Sequence, residues 1–345
     1  MKIAIHDNSS EAFFPNRWKR FCDNNGIEYK IVNAYDNNIL DQCAGCDAFM
    51  WHFSNYDYKD AIFAKYLLSS LEAAGLKTFP NTCTSWHFDD KIAEKYLLEA
   101  IGAPIVPTYV FYSKKEALNF FASTEYPKVF KLRRGSGSSN VKLITNRRQA
   151  KRLIKKSFSR RGHPQINWFE KLKFRINAWV NGRENFLSVL KGVAWCIIGN
   201  DYDRMSSTEK GYIYIQEFIP NNTFDIRVCV VDGKAFALKR LCREGDFRAS
   251  GGGRIIYDVD QIDIRCIKIA LEIADKLHTQ SMAFDFVFNE KDEPLIVEIS
   301  YGFAANAYDK CEGYWTPDLH FHKGQGFDFA GWMVENVLKD ENISR

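Results

Sequence analysis

The stretch MAFDFVFNEKDEPLIVEIS at 282–300 constrains this 345-residue chain more than any other. Two apolar runs flank the polar turn NEKDE, the pattern of an antiparallel hairpin. Each run carries a carboxylate, Asp285 within AFDFVF and Glu298 within LIVEIS. An unpartnered carboxylate among apolar neighbours is costly to bury, so both acids call for a counter-charge. Antiparallel pairing can bring them together, and hard divalent cations such as Mg2+ take oxygen ligands of this kind.

Three further stretches carry chemistry of a related sort. In VFKLRRGSGSSNVKLI, Lys131 sits on a strand, and Gly135, Ser136, Gly137 and Ser138 form a flexible turn whose backbone N–H groups suit phosphate. This is neither GxxxxGK[ST] nor GxGxxG, and a glycine-rich hairpin also serves plain structure. In YIYIQEFIP, an apolar strand runs into Gln216, Glu217 and Ile219. Apolar walls with edge hydrogen bonds suit a purine, and a carboxylate suits a ribose hydroxyl, although a strand-end Glu is ordinarily just solvated. In DIRVCVVDGKAFALKRLCREGDFRASGGGR, Asp225, Arg227, Lys239, Arg240, Arg248 and Arg254 crowd a hairpin and a glycine-rich loop. Residues 225 and 227 share one strand face, as do 239 and 241. Such cations suit a transferring phosphoryl group or a carboxylate substrate; the alternative is a solvated basic rim.

The pattern around these stretches is that of a mixed α/β protein. Strands at 2–6, 27–35, 46–54 and 77–81 alternate with helices at 16–26 and from Tyr58 to Gly75, predicting a small parallel α/β domain over 1–85. Helices at 89–102 and 114–123, a hairpin at 126–146 and a basic helix at 147–161 follow, the last with an apolar stripe of Ala150, Leu153, Ile154 and Phe158. Residues 162–210 are irregular and yield no mechanism. From 211 the chain is strand-rich, with hairpins at 225–243, turning at Asp232-Gly233, and at 282–300. Helices are expected at 262–278 and near the C-terminus.

Composition narrows the class. Hydrophobic residues at 46% and charged residues at 26% are those of an ordinary globular protein. The net charge of +4 implies no nucleic-acid partner by itself. Between Tyr126 and Phe169, however, Lys and Arg occur 13 times with no Asp or Glu. That segment suits a negatively charged partner such as a uronic-acid sugar, an acidic peptide or RNA. Nine cysteines lie without a framework; Cys43 and Cys46 form a lone CxxC, and no second pair completes a zinc set. His320 and His322 lack a third ligand in sequence. No apolar run approaches a membrane span, MKIAIHD opens like a strand, and a reducing, cytoplasmic setting is expected.

Taken in order, DDKIAEKYLLEAIGAPIVPTY, VFKLRRGSGSSNV, YIQEFIPNNTFDIRVCVVDGKAFALKR, EGDFRASGGGR and AFDFVFNEKDEPLIVEIS resemble the ATP-grasp superfamily, in the branch of the ribosomal protein S6 glutamate ligase and related carboxylate–amine ligases. The resemblance covers most of 89–300; residues 1–85 are similar only in general pattern to the α/β domain preceding ATP-grasp lobes. It implies α+β lobes at 86–210 and 211–345 behind a parallel α/β domain. It also implies ATP and Mg2+ as cofactors and amide formation through an acyl phosphate. Lys91 and Lys131 would meet the nucleotide phosphates, residues 134–139 would form a lid, and Glu217 and Ile219 would face the adenosine. Arg227, Lys239 and Arg248 would meet the transferring phosphoryl group, and Asp285 and Glu298 the metal. The family usually has Asn two residues after that glutamate; here it is Ser300, a weaker ligand, with Asn306 as a substitute from the next loop.

The implied partners are a small-molecule, sugar-acid or peptide carboxylate and an amine, shaped by the aromatic loop YGFAANAYDKCEGYWTPDLHFH; a homodimer is the assembly the family suggests. Two other classes fit the residues: a kinase-like phosphotransferase, and a polyanion-binding protein that has lost catalysis, for which the basic helix and Ser300 speak.

Overall fold

The computed structural model describes residues 1–8, 12–135, 140–165, 168–180, 185–198, 205, 208–242 and 254–339. Their contacts divide the chain into two compact units: Met1–Phe88, Ala93–Val106 and Ile219–Arg345 in the first, Asp89–Ile92 and Pro107–Phe218 in the second.

The first unit contains two sheets. One is parallel, with strands β1 (Lys2–His6), β2 (Glu28–Val32), β3 (Ala48–Trp51) and β4 (Lys77–Phe79) in the order β2-β1-β3-β4. Its crossovers are α1 (Pro15–Asn25), the short α2 (Ile39–Cys43) and α3 (Tyr58–Ala73), and a single turn, α4 (Thr82–Ser85), follows β4. This is the alternation predicted for the first 85 residues, because parallel neighbours need a crossover that a helix supplies.

The second sheet has seven strands: β9 (Phe224–Val231), β10 (Lys234–Leu241), β11 (Ile255–Ile256), β12 (Ser281–Phe288), β13 (Pro294–Ser300), β14 (Gly313–Trp315) and β15 (Phe321–Lys323). The order is β13-β12-β9-β10-β14-β15, with β11 on β10. The β9–β10 turn falls at Asp232 and Gly233 as predicted, with φ of 49° and 72°. Two successive positive φ values make the tight turn whose twist matches a hairpin.

Period-two alternation divides this sheet's faces. Ile226, Val228, Val230, Met282, Phe284 and Phe286 pack against α10 (Ile264–Lys276), through Ile267, Ala270 and Ala274. Cys229, Val231, Phe236 and Ala283 face the other way, into a core shared with Ile3, Ile5 and Met50 of the parallel sheet and with α11 (Phe329–Leu338). Further along the strands, that second face changes from apolar to charged. The sheet thus presents its ionic groups on the extension of a rigid core face.

The second unit is built on an antiparallel sheet of β5 (Thr108–Phe111), β6 (Lys128–Lys131), β7 (Lys142–Ile144) and β8 (Ile213–Glu217), ordered β5-β8-β6-β7. The helix α5 (Lys91–Ala100) starts in this unit and continues in the first. Helices α6 (Lys114–Ser123) and α7 (Arg147–Ser157) cover the sheet: Ala117, Phe121, Ala150 and Ile154 close over Phe130, Ile144, Ile213 and Ile215. The predicted stripe of α7 is thereby accounted for, with Leu153 and Phe158 at its margin. In the stretch read as irregular, the structure has two more helices, α8 (Trp168–Val180) and α9 (Phe186–Ile198), packed as a pair. Gly182 and Gly199, which broke the pattern there, are outside the described residues.

Candidate active site

The register of β12 on β13 sets Asp285 directly opposite Glu298. It shifts immediately afterwards, from Asp285–Glu298 to Phe286–Ile296, leaving Val297 as the extra residue of a bulge. Strict alternation from Ile296 would have put Ile296 and Glu298 on one face. The bulge lets Ile296 and Ile299 both enter the core behind α10 while Glu298 joins Asp285 on the ionic face.

Across the next pairs, Asp285 opposes Arg227, and Asp225 opposes Arg240. The side chains close into a lattice. Arg227 donates from Nε and Nη2 to the two oxygens of Asp285 at 2.5 and 2.6 Å. Arg240 donates to both oxygens of Asp225 at 2.7 and 2.5 Å, and its Nη2 lies 3.0 Å from Asp285 Oδ2. Burial pushes the Asp285 carboxyl up, but Arg227 and then Arg240 overcome it and hold the group well below the usual carboxylate range. Asp225 goes the other way: burial raises it, and the adjacent Asp285 charge adds to that despite the Arg240 fork.

Lys239 is not part of this lattice. The register places it opposite Ile226, on the face that packs against α10, and its ammonium lies 4.0 Å from the centre of the Phe224 ring. The expectation that Lys239 joins Arg227 is corrected by one residue: Arg240 holds the inward position, because Asp225 and its cross-strand partner share a face. Arg248 lies outside the described residues.

Whether these groups suit a divalent cation is decided by what their lone pairs already do. A carboxylate has about four acceptor positions, and the two guanidiniums take three on Asp285. One remains, and Glu298 is the residue directly opposite in the strand pair. The Ser300 hydroxyl donates to the Gly302 carbonyl at 2.7 Å, which directs its proton away and leaves its oxygen lone pairs able to face a cation. The set suits one hard ion bound by few protein oxygens, as Mg2+ is, with phosphate and water completing the shell. Among the described residues no group of three or more His, Cys, Asp or Glu is arranged for a metal. Asn306 is exposed, in a short turn at Ala305–Tyr308. His322 stacks on Tyr314 at 4.9 Å, and all nine cysteines are free thiols. The rings of the loop after Glu298 largely serve the core: Tyr301, Phe303, Tyr308 and Trp315 are buried, not displayed to an acceptor.

The second unit gathers the other predicted residues. Lys131 is buried at the end of β6, opposite Tyr214. Lys91, also buried, donates to the Gly135 carbonyl at 2.7 Å. Glu217 is salt-bridged to Lys128 at 2.8 Å, a lysine that had not been singled out. Gln216 donates to the Thr108 hydroxyl at 3.2 Å. Ile219 begins the other unit, its carbonyl accepting from Asn222. Ser136, Gly137 and Ser138 lie outside the described residues.

The stem of the glycine turn is anchored by Asp89, Asp90 and Lys91 together with Glu209. Asp89 accepts from the Gly135 backbone N–H at 3.0 Å, and Lys91 N donates to the Arg133 carbonyl at 3.0 Å. The Arg133 guanidinium bridges Asp90 at 3.1 Å and Glu209 at 3.4 Å, while Tyr212 and Gln165 donate to Glu209 at 2.8 and 2.5 Å. The run Asp89-Asp90-Lys91 beside an arginine-rich glycine turn was the available signal; Glu209, far away in sequence, had none.

Residues 191–313 match the model of the RimK-like ATP-grasp domain. No curated protein matches the chain. Among solved structures, a RimK domain ATP-grasp protein from Sphaerobacter thermophilus DSM 20745 aligns with a TM-score of 0.56 at 14% identity, over 98% of this chain and 100% of that one. D-alanine–D-alanine ligase from Bacillus anthracis aligns at 0.54 and 13%, over 98% and 97%. Biotin carboxylase from Campylobacter jejuni aligns at 0.61 and 12%, over 97% and 70%. At such identities the likeness is one of fold. The chain shares the fold of these ATP-grasp structures, and its residues 191–313 match the RimK-like ATP-grasp domain.

Proposed function

We propose that the chain is an ATP-dependent ligase that joins a carboxylate to an amine through an acyl phosphate. The observation that carries this reading is the Asp285–Glu298 register beside Arg227 and Arg240 on one face of the seven-stranded sheet. Paired acids next to forked guanidiniums are what a phosphoryl group crossing between two anionic oxygens requires.

In this reading Lys91 and Lys131 neutralise the nucleotide phosphates, and Gln216, Glu217 and Ile219 serve the adenosine. Arg227 and Arg240 steady the transferring phosphoryl group. Arg248 would join them, and Ser136 to Ser138 would cover the phosphates. Asp285, Glu298 and Ser300 would hold Mg2+, which would supply charge neutralisation for phosphoryl transfer. A carboxylate oxygen of the substrate attacks the γ-phosphorus, the bond to the bridging oxygen breaks, and ADP leaves. The amine then attacks the acyl carbon and phosphate departs. The work is positioning and electrostatics, so no catalytic triad is needed. The substrates are a small-molecule, sugar-acid or peptide carboxylate and an amine acceptor, and the division 1–85, 86–210 and 211–345 is retained as the proposed functional one.

A panel of carboxylates and amines assayed for amine-dependent ADP release, with product mass measured, tests this directly. Oxygen-18 in the substrate carboxylate should appear in released phosphate. Glu298→Gln, which keeps the side-chain shape and spares the arginine lattice, should remove amine-dependent ADP release without loss of fold. ADP formed with a hydroxyl acceptor and no amide would replace ligation by phosphotransfer.

A further inference from the structure

The helix α9 reads FLSVLKGVAWCII, with Lys191 as its one charged residue. A helix so apolar is ordinarily enclosed on all sides. Here Val189 and Gly192 face inward, yet Phe186, Leu187, Leu190, Val193 and Ile198 are exposed, Leu187 to 64% and Ile198 to 63%. The paired helix α8 adds Ile176 and Val180, the latter 70% exposed. The two helices hold each other by specific contacts. Trp168 meets Trp195 at 5.1 Å, Trp179 meets Phe186 at 5.4 Å, and Arg175 donates to the Ser188 carbonyl at 2.9 Å. Gly192 permits the approach, since a Cβ there would sit 3.0 Å from Leu172 Cδ1. The pair is thus built, and it presents an apolar face without a covering element among the described residues.

Charge says what suits that face. Residues 89–92 and 107–218 carry 23 Lys and Arg against 10 Asp and Glu, a net +13 in a chain whose total is +4. In the helix that precedes the pair, Arg147, Arg148, Lys151, Arg152, Lys155 and Lys156 are all exposed. A second copy of the chain would bring the same positive excess to the contact. RNA or a soluble polyanion would match the charge but leave the aliphatic side chains in water. An anionic bilayer satisfies both at once: basic side chains meet headgroup phosphates, and a short apolar helix lies at the acyl boundary. At 13 residues α9 is too short to cross a bilayer, and among the described residues no helix is long and apolar enough to do so.

We propose that the α8–α9 pair docks this unit on an anionic lipid surface, with α9 lying in the interface. This does not depend on the ligase reading, since none of these residues belongs to the nucleotide or metal sets.

The test is co-sedimentation of the full chain with vesicles of phosphatidylcholine containing about a third phosphatidylglycerol, against vesicles of phosphatidylcholine alone. Binding is expected to the anionic vesicles, to weaken as salt is raised, and to shift Trp emission to the blue. Leu187→Glu with Leu190→Glu should weaken it by roughly tenfold or more, with the circular dichroism spectrum and melting curve retained. Lys151→Glu with Lys155→Glu should remove the preference for anionic lipid. Failure of the unmodified chain to bind anionic vesicles at low salt overturns the proposal. So does binding that the leucine variant leaves intact, which would mark a plain polyanion site. A dimer in sedimentation velocity that the leucine variant dissociates, without vesicle binding, would assign the face to a second copy instead.

Discussion

Asp285 and Asp60 are both buried aspartates of the first unit, and their surroundings drive them in opposite directions. Asp285 lies between two guanidiniums, which overcome its burial and hold it ionised. Asp60 sits near the N-terminus of α3 with neutral donors only: the Tyr35 hydroxyl and the Ser54 backbone N–H, the latter at 2.7 Å. Burial dominates there, and Asp60 is pushed up to about 6. Two neutral hydrogen bonds do not replace the water a carboxylate loses, whereas forked arginines do. The protein thus keeps a permanent anion where the proposed chemistry needs one and a titrating acid in the parallel domain.

The largest effect should come from taking away one arm of the lattice. Arg227→Met leaves Asp285 buried beside Arg240 alone and should cost about 3–5 kcal/mol, read from urea unfolding at neutral pH. A loss under about 1 kcal/mol would mean that water already solvates Asp285 and that the contrast with Asp60 is not one of burial.

The pH dependence of stability comes next. Folded Asp60 binds its proton more tightly than the unfolded chain, whose reference value is 3.8. The stability this supplies is complete below that value and is lost as pH rises through about 6. Asp285 has the opposite sign: its contribution is present above 3.8 and disappears as pH falls toward its depressed value. Asp60→Asn, a mimic of the protonated acid, should therefore remove a fall of about 2–3 kcal/mol between acid and neutral pH. Identical pH–stability curves for wild type and Asp60→Asn would show that Asp60 is not the titrating group.

Smaller still, Arg240→Lys keeps the charge but cannot fork Asp225 while reaching Asp285. It should cost about 1–2 kcal/mol in chemical denaturation, and full retention would reduce Arg240 to a point charge. Tyr35→Phe should cost about 1 kcal/mol and move the Asp60 midpoint upward, followed by the carboxyl resonance in NMR titration. A downward movement would show that the hydroxyl does not act as a donor.

Much of this arrangement was legible from residues in order. The hairpins at 225–243 and 282–300, the positive-φ turn at Asp232-Gly233 and the apolar stripe of α7 follow from local periodicity and turn chemistry, which act over a few residues. The pairing of Asp285 with Glu298 was legible for the same reason. The α8–α9 pair was not, because an apolar helix without a polar face carries no amphipathic signal, and glycines interrupt the segment. Lys128 and Glu209 were also missed. Each finds its partner across a long stretch of chain, Glu217 for Lys128 and Arg133 for Glu209.

What the linear order of residues determined by itself was which strands alternate with helices, where the hairpins turn, and that Asp285 and Glu298 would face each other across a hairpin. Only the tertiary structure decided which arginine meets which acid. The register of β9 on β10 brought Arg240 inward and sent Lys239 to the opposite face, and a bulge at Val297 put Glu298 on the face of Asp285. Side-chain direction reverses with every residue along a strand, so a shift of a single position in pairing changes the face. That position is set by the packing of the whole sheet against α10 and the shared core.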